Sequence, residues 1–335
     1  LLSRLCKRAQ SSGLRPQTYN QKQQGRTLKS SISEFTHVKS GLEFNNLLAK
    51  NGVSARSLVS TVVKDTVDPG IVVVGSIPKG FAKPESDIDL LVITEREADH
   101  LPGSPTLVLK AGANSRTYMH KVSLNGIEID VEAISLETLS ELKTSVGSLY
   151  RFFTTQSSSE PIPELSQEDV RLIDMLRHGW AISGEQQIDL FKSSFKADLL
   201  PIYFAVYNTI QMLEYFEDVI SLKNEDPATL CGIVRICMVR AAMAFLGAGG
   251  ITDQNEKWTW KHLNRVASKL DPVGQALIEQ IVHHAFLSIR DIQDRDQLVS
   301  AIDGIRQKVE GYLCLNPMVK GTLASVRSKF TYSFD

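Results

Sequence analysis

Two carboxylates one residue apart open the apolar run "SDIDLLVIT" at residues 86–94. Along a strand, side chains two apart point to one face. Asp87 and Asp89 therefore share a face, and Ile88, Leu90 and Val92 take the other. Further on, in "IEIDVEA" (residues 127–133), Glu128, Asp130 and Glu132 alternate with Ile127, Ile129, Val131 and Ala133. If the two strands neighbour each other in one sheet, their acids form one cluster. That cluster reads either as a solvated sheet face or as a divalent cation site, because crowded carboxylates repel unless a cation sits among them. Ligation by oxygen alone suits Mg2+ or Mn2+.

The residues just before this pair add a second kind of chemistry. Residues 71–74 are a β-branched run that reads as a buried strand, and Gly75-Ser76 ends it. Such a turn can bring backbone N–H groups and a hydroxyl close to a phosphate. Gly80 loosens the same loop, and Lys79 and Lys83 add positive charge. A nucleoside triphosphate bound with its metal needs both parts, the cradle and the acids.

In combination, Gly75-Ser76, then Ser86-Asp87-Ile88-Asp89-Leu90, then Ile129-Asp130-Val131 resemble the DNA polymerase β nucleotidyltransferase superfamily. The resemblance covers roughly residues 60–135. It implies transfer of a nucleoside monophosphate from an NTP, with ATP the expected donor, to a hydroxyl, and release of pyrophosphate. It implies that Asp87, Asp89 and Asp130 are the catalytic and metal-binding carboxylates, with Mg2+ or Mn2+ as the metal. Glu128 or Glu132 could stand in for Asp130, which is favoured as the central acid flanked by Ile and Val. Gly75, Ser76, Lys79 and Ser86 would hold the nucleotide, with Ser76 and nearby N–H groups on the β- and γ-phosphates. Many relatives read Gly-Ser-x-Ala-Arg-Gly in the loop. Here "GSIPKG" places Pro78 and Lys79 there, and a lysine keeps the charge of arginine without its bidentate geometry.

The elements that must position these groups follow from the patterning. Residues 42–66 carry apolar residues at helical spacing, interrupted at Gly52. Asp68-Pro69-Gly70 reads as a turn. Residues 106–110 read as a strand, and Asn125-Gly126 joins strands 117–124 and 127–133 as a two-residue hairpin. A helix over 135–150 precedes the Ser/Pro-rich "TTQSSSEPIPELS". Helical patterns then fill 167–180, 186–197, 199–222, 227–247, 258–270, 272–291, 294–313 and 317–329, with Asp271-Pro272 and Asn316-Pro317 as helix starts. The expected fold class is α+β: a small mixed β-sheet nucleotidyltransferase domain flanked by helices (34–155), a linker (156–166) and an all-α helical bundle (167–330). This layout resembles aminoglycoside (kanamycin-type) nucleotidyltransferases and implies a small-molecule acceptor.

In "EKWTWKHLNRV" (256–266), Lys257 or Lys261 could reach the triphosphate; otherwise this is a solvated helix start with Trp258 and Trp260 in the core. Arg171 and His178 loosely fit the Arg-x4–6-His pattern of HEPN ribonucleases, against a packing or capping role for Arg177 and His178. Glu214, Glu217 and Asp218 read as a solvated face. One of His283 and His284 reads as a buried neutral ring.

Composition sets limits. Residues 1–33 hold seven of the chain's 37 Lys and Arg and none of its 38 Asp and Glu, so the rest is mildly acidic. That disfavours a long nucleic-acid track. The basic segment reads as a flexible extension, with a transit-like segment or nucleic-acid arm as alternatives. Its charge is the one support for a toxin-like enzyme acting on tRNA or protein. A non-catalytic antitoxin or regulatory binding module is the third possibility. No apolar run near 18 residues is evident, so no membrane helix is expected. Four cysteines without metal-ligand spacing read as reduced thiols in a cytoplasmic protein.

Overall fold

The computed structural model describes residues 39–327, apart from 51, 55, 56, 58–69, 84, 85, 96–106, 112–114, 125, 126, 156–161, 195–198, 254, 289–291 and 293. The basic segment 1–33, most of the second half of the 42–66 pattern, the Asp68-Pro69 turn and the Asn125-Gly126 turn lie outside those residues.

Six strands form one mixed sheet: β1 (Gly70–Val74), β2 (Ile88–Thr94), β3 (Leu107–Ala111), β4 (Ser115–Leu124), β5 (Ile127–Ser135) and β6 (Trp180–Ser183). Their order is β3-β4-β5-β2-β1-β6. Leu124 faces Ile127 across the β4–β5 hairpin, so the two-residue connection is as the Asn-Gly signal requires. All pairs are antiparallel except β2 with β5. That parallel pair is central to the site.

The alternation of the strands divides the core into two layers. Ile71, Val73, Ile88, Leu90, Ile129 and Val131 pack with Phe44 and Leu48 of helix α1 (Gly41–Lys50) and with Ile77. Val72, Val74, Leu91 and Ile93 face the other way, onto helices α2 (Leu136–Thr155) and α3 (Gln167–His178) and onto the helical half. The acids of β2 and β5 lie on this second face, and the helices close over it.

Helix α3 starts with a capping box: the Asp169 amide donates to Ser166 Oγ at 3.0 Å and the Ser166 amide to Asp169 Oδ2 at 3.1 Å. The sequence suggested a helix to residue 180, but α3 ends at His178 and the chain enters strand β6, paired with β1. The reason lies at Gly179, where an added Cβ would come within 2.3 Å of Val72 Cγ1 and 2.9 Å of the Val73 carbonyl oxygen. The chain passes hard against β1 there, close enough to join its ladder. Thus a strand from beyond residue 167 completes the sheet, and the segment expected to be all-α is not wholly helical.

The remaining helices are α4 (Glu185–Ser194), α5 (Leu199–Ser221), α6 (Pro227–Ala248), α7 (Glu256–Ala267), α8 (Pro272–Ala285), α9 (Arg295–Leu313) and α10 (Pro317–Arg327). Proline stands first in α6, α8 and α10, where its missing N–H costs nothing. Asp226 and Asp271 cap the first two. By length and composition α6 is apolar enough to cross a membrane, contrary to the sequence expectation, but 67% of its most apolar stretch is buried inside the protein. It serves as the core of the helical half, against Met212, Phe216, Leu263 and Ile302.

Candidate active site

The strand wall comes first. Asp89 lies directly opposite Asp130 in the parallel β2–β5 ladder, and Leu91 opposite Glu132. Paired residues share a face, so the condition set by the sequence is met. On the other side of β2, Asp89 pairs with Val74 of β1, and Gly75 follows. Gly75 has φ +73°, and an added Cβ would sit 2.0 Å from Asp89 Oδ2. Glycine is required here twice over, for its conformation and for room. The backbone of Ser76 lies close enough to the Asp89 carboxylate to favour its charged form. The Ser76 carbonyl accepts from the amides of Phe81 at 2.8 Å and Ala82 at 3.1 Å. The turn therefore lies against the carboxylate, and Ser76 lines the same cleft. Ser86 closes the end of the loop, its Oγ accepting from the Lys83 amide at 2.8 Å.

Burial pushes the Asp89 carboxyl up to about 6, and Asp130, Asp87 and Glu132 push in the same direction. The acids thus feel one another, as an uncompensated cluster should. Asp87 stands exposed just before β2. Among the described residues Asp130 Oδ1 accepts no hydrogen bond and is out of contact with water, and Lys121 Nζ forms an ion pair with it at 3.3 Å. Glu132 is fully engaged. Arg171 Nη1 donates to its Oε2 at 2.8 Å and Nη2 to its Oε1, while Arg171 Nε also donates to Glu168 Oε2 at 2.7 Å. Burial alone would lower the Arg171 value, but these hydrogen bonds hold it above the ordinary one. Glu132 is thus bound to Arg171, while Asp130 lines the cleft; the side chain of Glu128 lies outside the described residues.

Among the described residues no three His, Cys, Asp or Glu side chains stand close enough to hold a metal ion as they are placed. The donor set nonetheless fits a hard divalent cation. It is all oxygen, Asp89 is crowded by like charges, and Asp130 Oδ1 has no hydrogen-bond donor.

The second wall comes from the helical half. Glu168, Arg171, Asp174 and Met175 fall on one side of α3 and line the same cleft of about 970 Å3 as the acids. Lys79, expected on phosphate, instead has its Nζ 2.9 Å from both Asp174 and Asp253. Burial works to strip its proton, and the two aspartates more than offset this and raise its value. Asp253 also takes His262 at 3.3 Å and the Asn255 amide at 3.1 Å, and its carboxyl falls to about 2 despite burial. Thr252 Oγ1 donates to Asp174. Lys79 is therefore part of a buried ion-pair network. Arg265 reinforces it by donating to the carbonyls of Lys79 at 2.9 Å and Gly80 at 2.7 Å. Loop 75–80 is thereby tied to α7.

Beyond this network the wall is cationic. Lys83, Lys257 and Lys261 line the cleft, and among the described residues none forms an ion pair with a carboxylate. Desolvation holds Lys261 below the ordinary lysine value, and Lys83, Lys257 and Arg265 act in the same direction. Trp258 lines the cleft too, stacked on Phe81 with centroids 5.1 Å apart, while Trp260 joins the core. Of the two tryptophans that the alternative reading placed in the core, Trp260 packs there and Trp258 lines the cleft.

The model of one family, the nucleotidyltransferase domain, matches residues 56–146. These residues are a nucleotidyltransferase domain of the polymerase β-like superfamily. The match spans the Gly75-Ser76 turn and all three aspartates. Among solved structures, a nucleotidyltransferase-like protein from Exiguobacterium sibiricum is similar at 14% identity, with a TM-score of 0.41, over 76% of this chain and 74% of that one. No curated protein matches in sequence.

The geometry places Gly75, Ser76, Lys79, Ser86, Asp87, Asp89, Asp130 and Lys257 around one cleft. The nucleotidyltransferase domain supplies the acids, and residues beyond its match supply most of the cations. Asp174 and Asp253 were not read from sequence as site residues, and Arg171 only as half of the HEPN-like pattern. A signal was present: Asp174 interrupts the apolar positions of α3 and is buried there. The HEPN-like pairing of Arg171 with His178 is not formed, since Arg171 grips glutamates and His178 Nε2 lies 3.5 Å from Asp174. Glu214, Glu217 and Asp218 are absent from the cleft lining.

Proposed function

We propose that this protein transfers a nucleoside monophosphate from an NTP, with ATP as the first donor to test, to a hydroxyl on a small molecule. One observation carries the reading: one cleft sets Asp87, Asp89 and Asp130 against three lysines that, among the described residues, form no ion pair with a carboxylate. That division suits an NTP, whose triphosphate needs cations and whose reacting end needs a metal.

Lys83, Lys257 and Lys261 would hold the β- and γ-phosphates as point charges. Asp87 and Asp89 would hold the metal on the triphosphate, and together with Asp130 a second one. When bound, Mg2+ or Mn2+ supplies charge stabilisation to the transferring phosphoryl group. Asp130 Oδ1, which accepts no hydrogen bond, would take the proton of the acceptor hydroxyl. The acceptor oxygen would bond to the α-phosphorus as the bond to the bridging oxygen breaks, and pyrophosphate would leave. The Gly75-Ser76 turn would keep Asp89 aimed at the cleft.

Incubation with α-labelled NTP and Mg2+ or Mn2+ tests this. Label moving to a soluble hydroxyl compound, with pyrophosphate released in equal amount, supports the reading. Label moving to tRNA or to protein would replace the small-molecule acceptor. Absence of transfer to a broad acceptor pool would leave a binding module.

A further inference from the structure

We infer that Arg171 sets the charge of the metal end of the cleft: by gripping Glu132 it withholds a fourth carboxylate and reserves Asp87, Asp89 and Asp130 for the cation. The inference rests on the proposed transfer site and concerns a positioning residue from outside the matched domain.

Glu132 is two residues from Asp130 on β5 and therefore lies on the same face. It is 6% exposed, and its charge reaches Asp89. Left alone it would be a buried anion beside the proposed ligands, which is costly, or it would join them. Arg171 prevents both with a two-pronged grip, the geometry that guanidinium and carboxylate share. The same guanidinium holds Glu168 one turn back on α3, so it is fixed in direction by its own helix. Nη1, which donates to Glu132, also lies 3.1 Å from Met175 Sδ, one turn further along α3. The helix is itself anchored by its capping box and by the passage of Gly179 along β1. A residue from α3 thus governs how many negative charges strand β5 presents.

The test is a cycle of Arg171→Met, Glu132→Gln and the double variant in the full chain. It reads Mn2+ binding by electron paramagnetic resonance without nucleotide, and then nucleotidyl transfer. Arg171→Met should tighten Mn2+ binding about tenfold, because ligand charge count sets affinity, and reduce transfer about tenfold or more. The double variant should return both to within about threefold of the starting protein, since the anion that needed Arg171 is gone. A tether that only joins β5 to α3 would not be rescued this way. The inference is overturned if Arg171→Met leaves Mn2+ affinity unchanged, or if the double variant stays as impaired as Arg171→Met. If Arg171→Met does not fold, a folded double variant with near-normal Mn2+ binding supports the inference, and an unfolded one overturns it. The Mn2+ arm judges Arg171 even if the starting protein transfers no nucleotide, and that result would count against the transfer reading alone.

Discussion

The two walls of the cleft are built on opposite plans. On the strand wall, acids crowd together on neighbouring strands, half-buried and pressing on one another, with Asp89 pushed up to about 6. On the helix wall, Lys79, Asp174 and Asp253 are joined in one buried ion-pair network, while Lys83 and Lys257 stand exposed and Lys261 half-exposed. The strand wall stores repulsion that a cation would relieve. The helix wall pairs its buried charges and leaves exposed lysines along the cleft. An underneutralised acidic wall suits a metal, and a cationic wall suits the long anion of a triphosphate.

The largest effect should come from the strand wall. Asp89→Asn is expected to lower transfer about a thousandfold, the scale of losing a central charge-stabilising group. The metal-free protein should unfold at the same temperature or slightly higher, since a repelling charge is removed. Labelled-NTP assays and calorimetry check both, and ordinary activity in the variant would break the contrast between the walls. Gly75→Ala comes next. Its Cβ would displace the Asp89 carboxylate, and misplacement on that scale costs about a hundredfold in rate. Some stability should be lost as well, since the backbone there is left-handed.

On the helix wall, Lys257→Ala and Lys261→Ala should each raise KM for the NTP about tenfold with little change in kcat, the behaviour of groups that bind without reaching the reaction centre. Raising salt should mimic them in the unaltered protein. If instead kcat falls and KM holds, the lysines belong with the reacting phosphoryl group.

The pH response separates the walls in a gentler way. A carboxyl raised to about 6 keeps its proton longer in the folded than in the unfolded chain. As far as Asp89 is concerned, the metal-free fold is therefore favoured most below about pH 4 and loses that advantage as pH rises through about 6. Mn2+ binding should run the opposite way and weaken as pH falls through about 6, because proton and metal compete. Asp253, held at about 2, should contribute stability above about pH 4 that is lost as pH falls toward 2. Thermal melts with and without Mn2+ across this range check both signs.

The strand wall was largely legible in the sequence because it is local. Period-two alternation fixes which acids share a face, and glycine before serine marks a turn, while the resemblance singled out Asp87, Asp89, Asp130, Gly75 and Ser76 among them. Whether the two strands are neighbours was open, and the parallel pairing of Asp89 with Asp130 supplies it. The helix wall was not legible because its chemistry depends on partners far apart in the chain. Lys79 looks like a phosphate ligand until Asp174 and Asp253 are brought to it by two different segments. Arg171 reads in sequence only as half of a loose HEPN-like pattern, and its partner Glu132 comes from a distant strand. Strand β6 escaped because four residues after a helix show no alternation of their own, and only the closeness of Gly179 to β1 explains their pairing.

Strand β6 also bears on how the chain is made and handled. β1 reads Gly-Ile-Val-Val-Val and is buried along its whole length, with β2 on one side and β6 on the other. During synthesis that second side stays open until residue 183 has left the ribosome. A fragment cut at the Ser/Pro-rich segment would keep it open permanently. Such an apolar, unguarded edge invites pairing with another copy. The fragment should therefore clump where the longer chain does not, and the smallest well-behaved piece carrying the acid site must extend at least past Ser183.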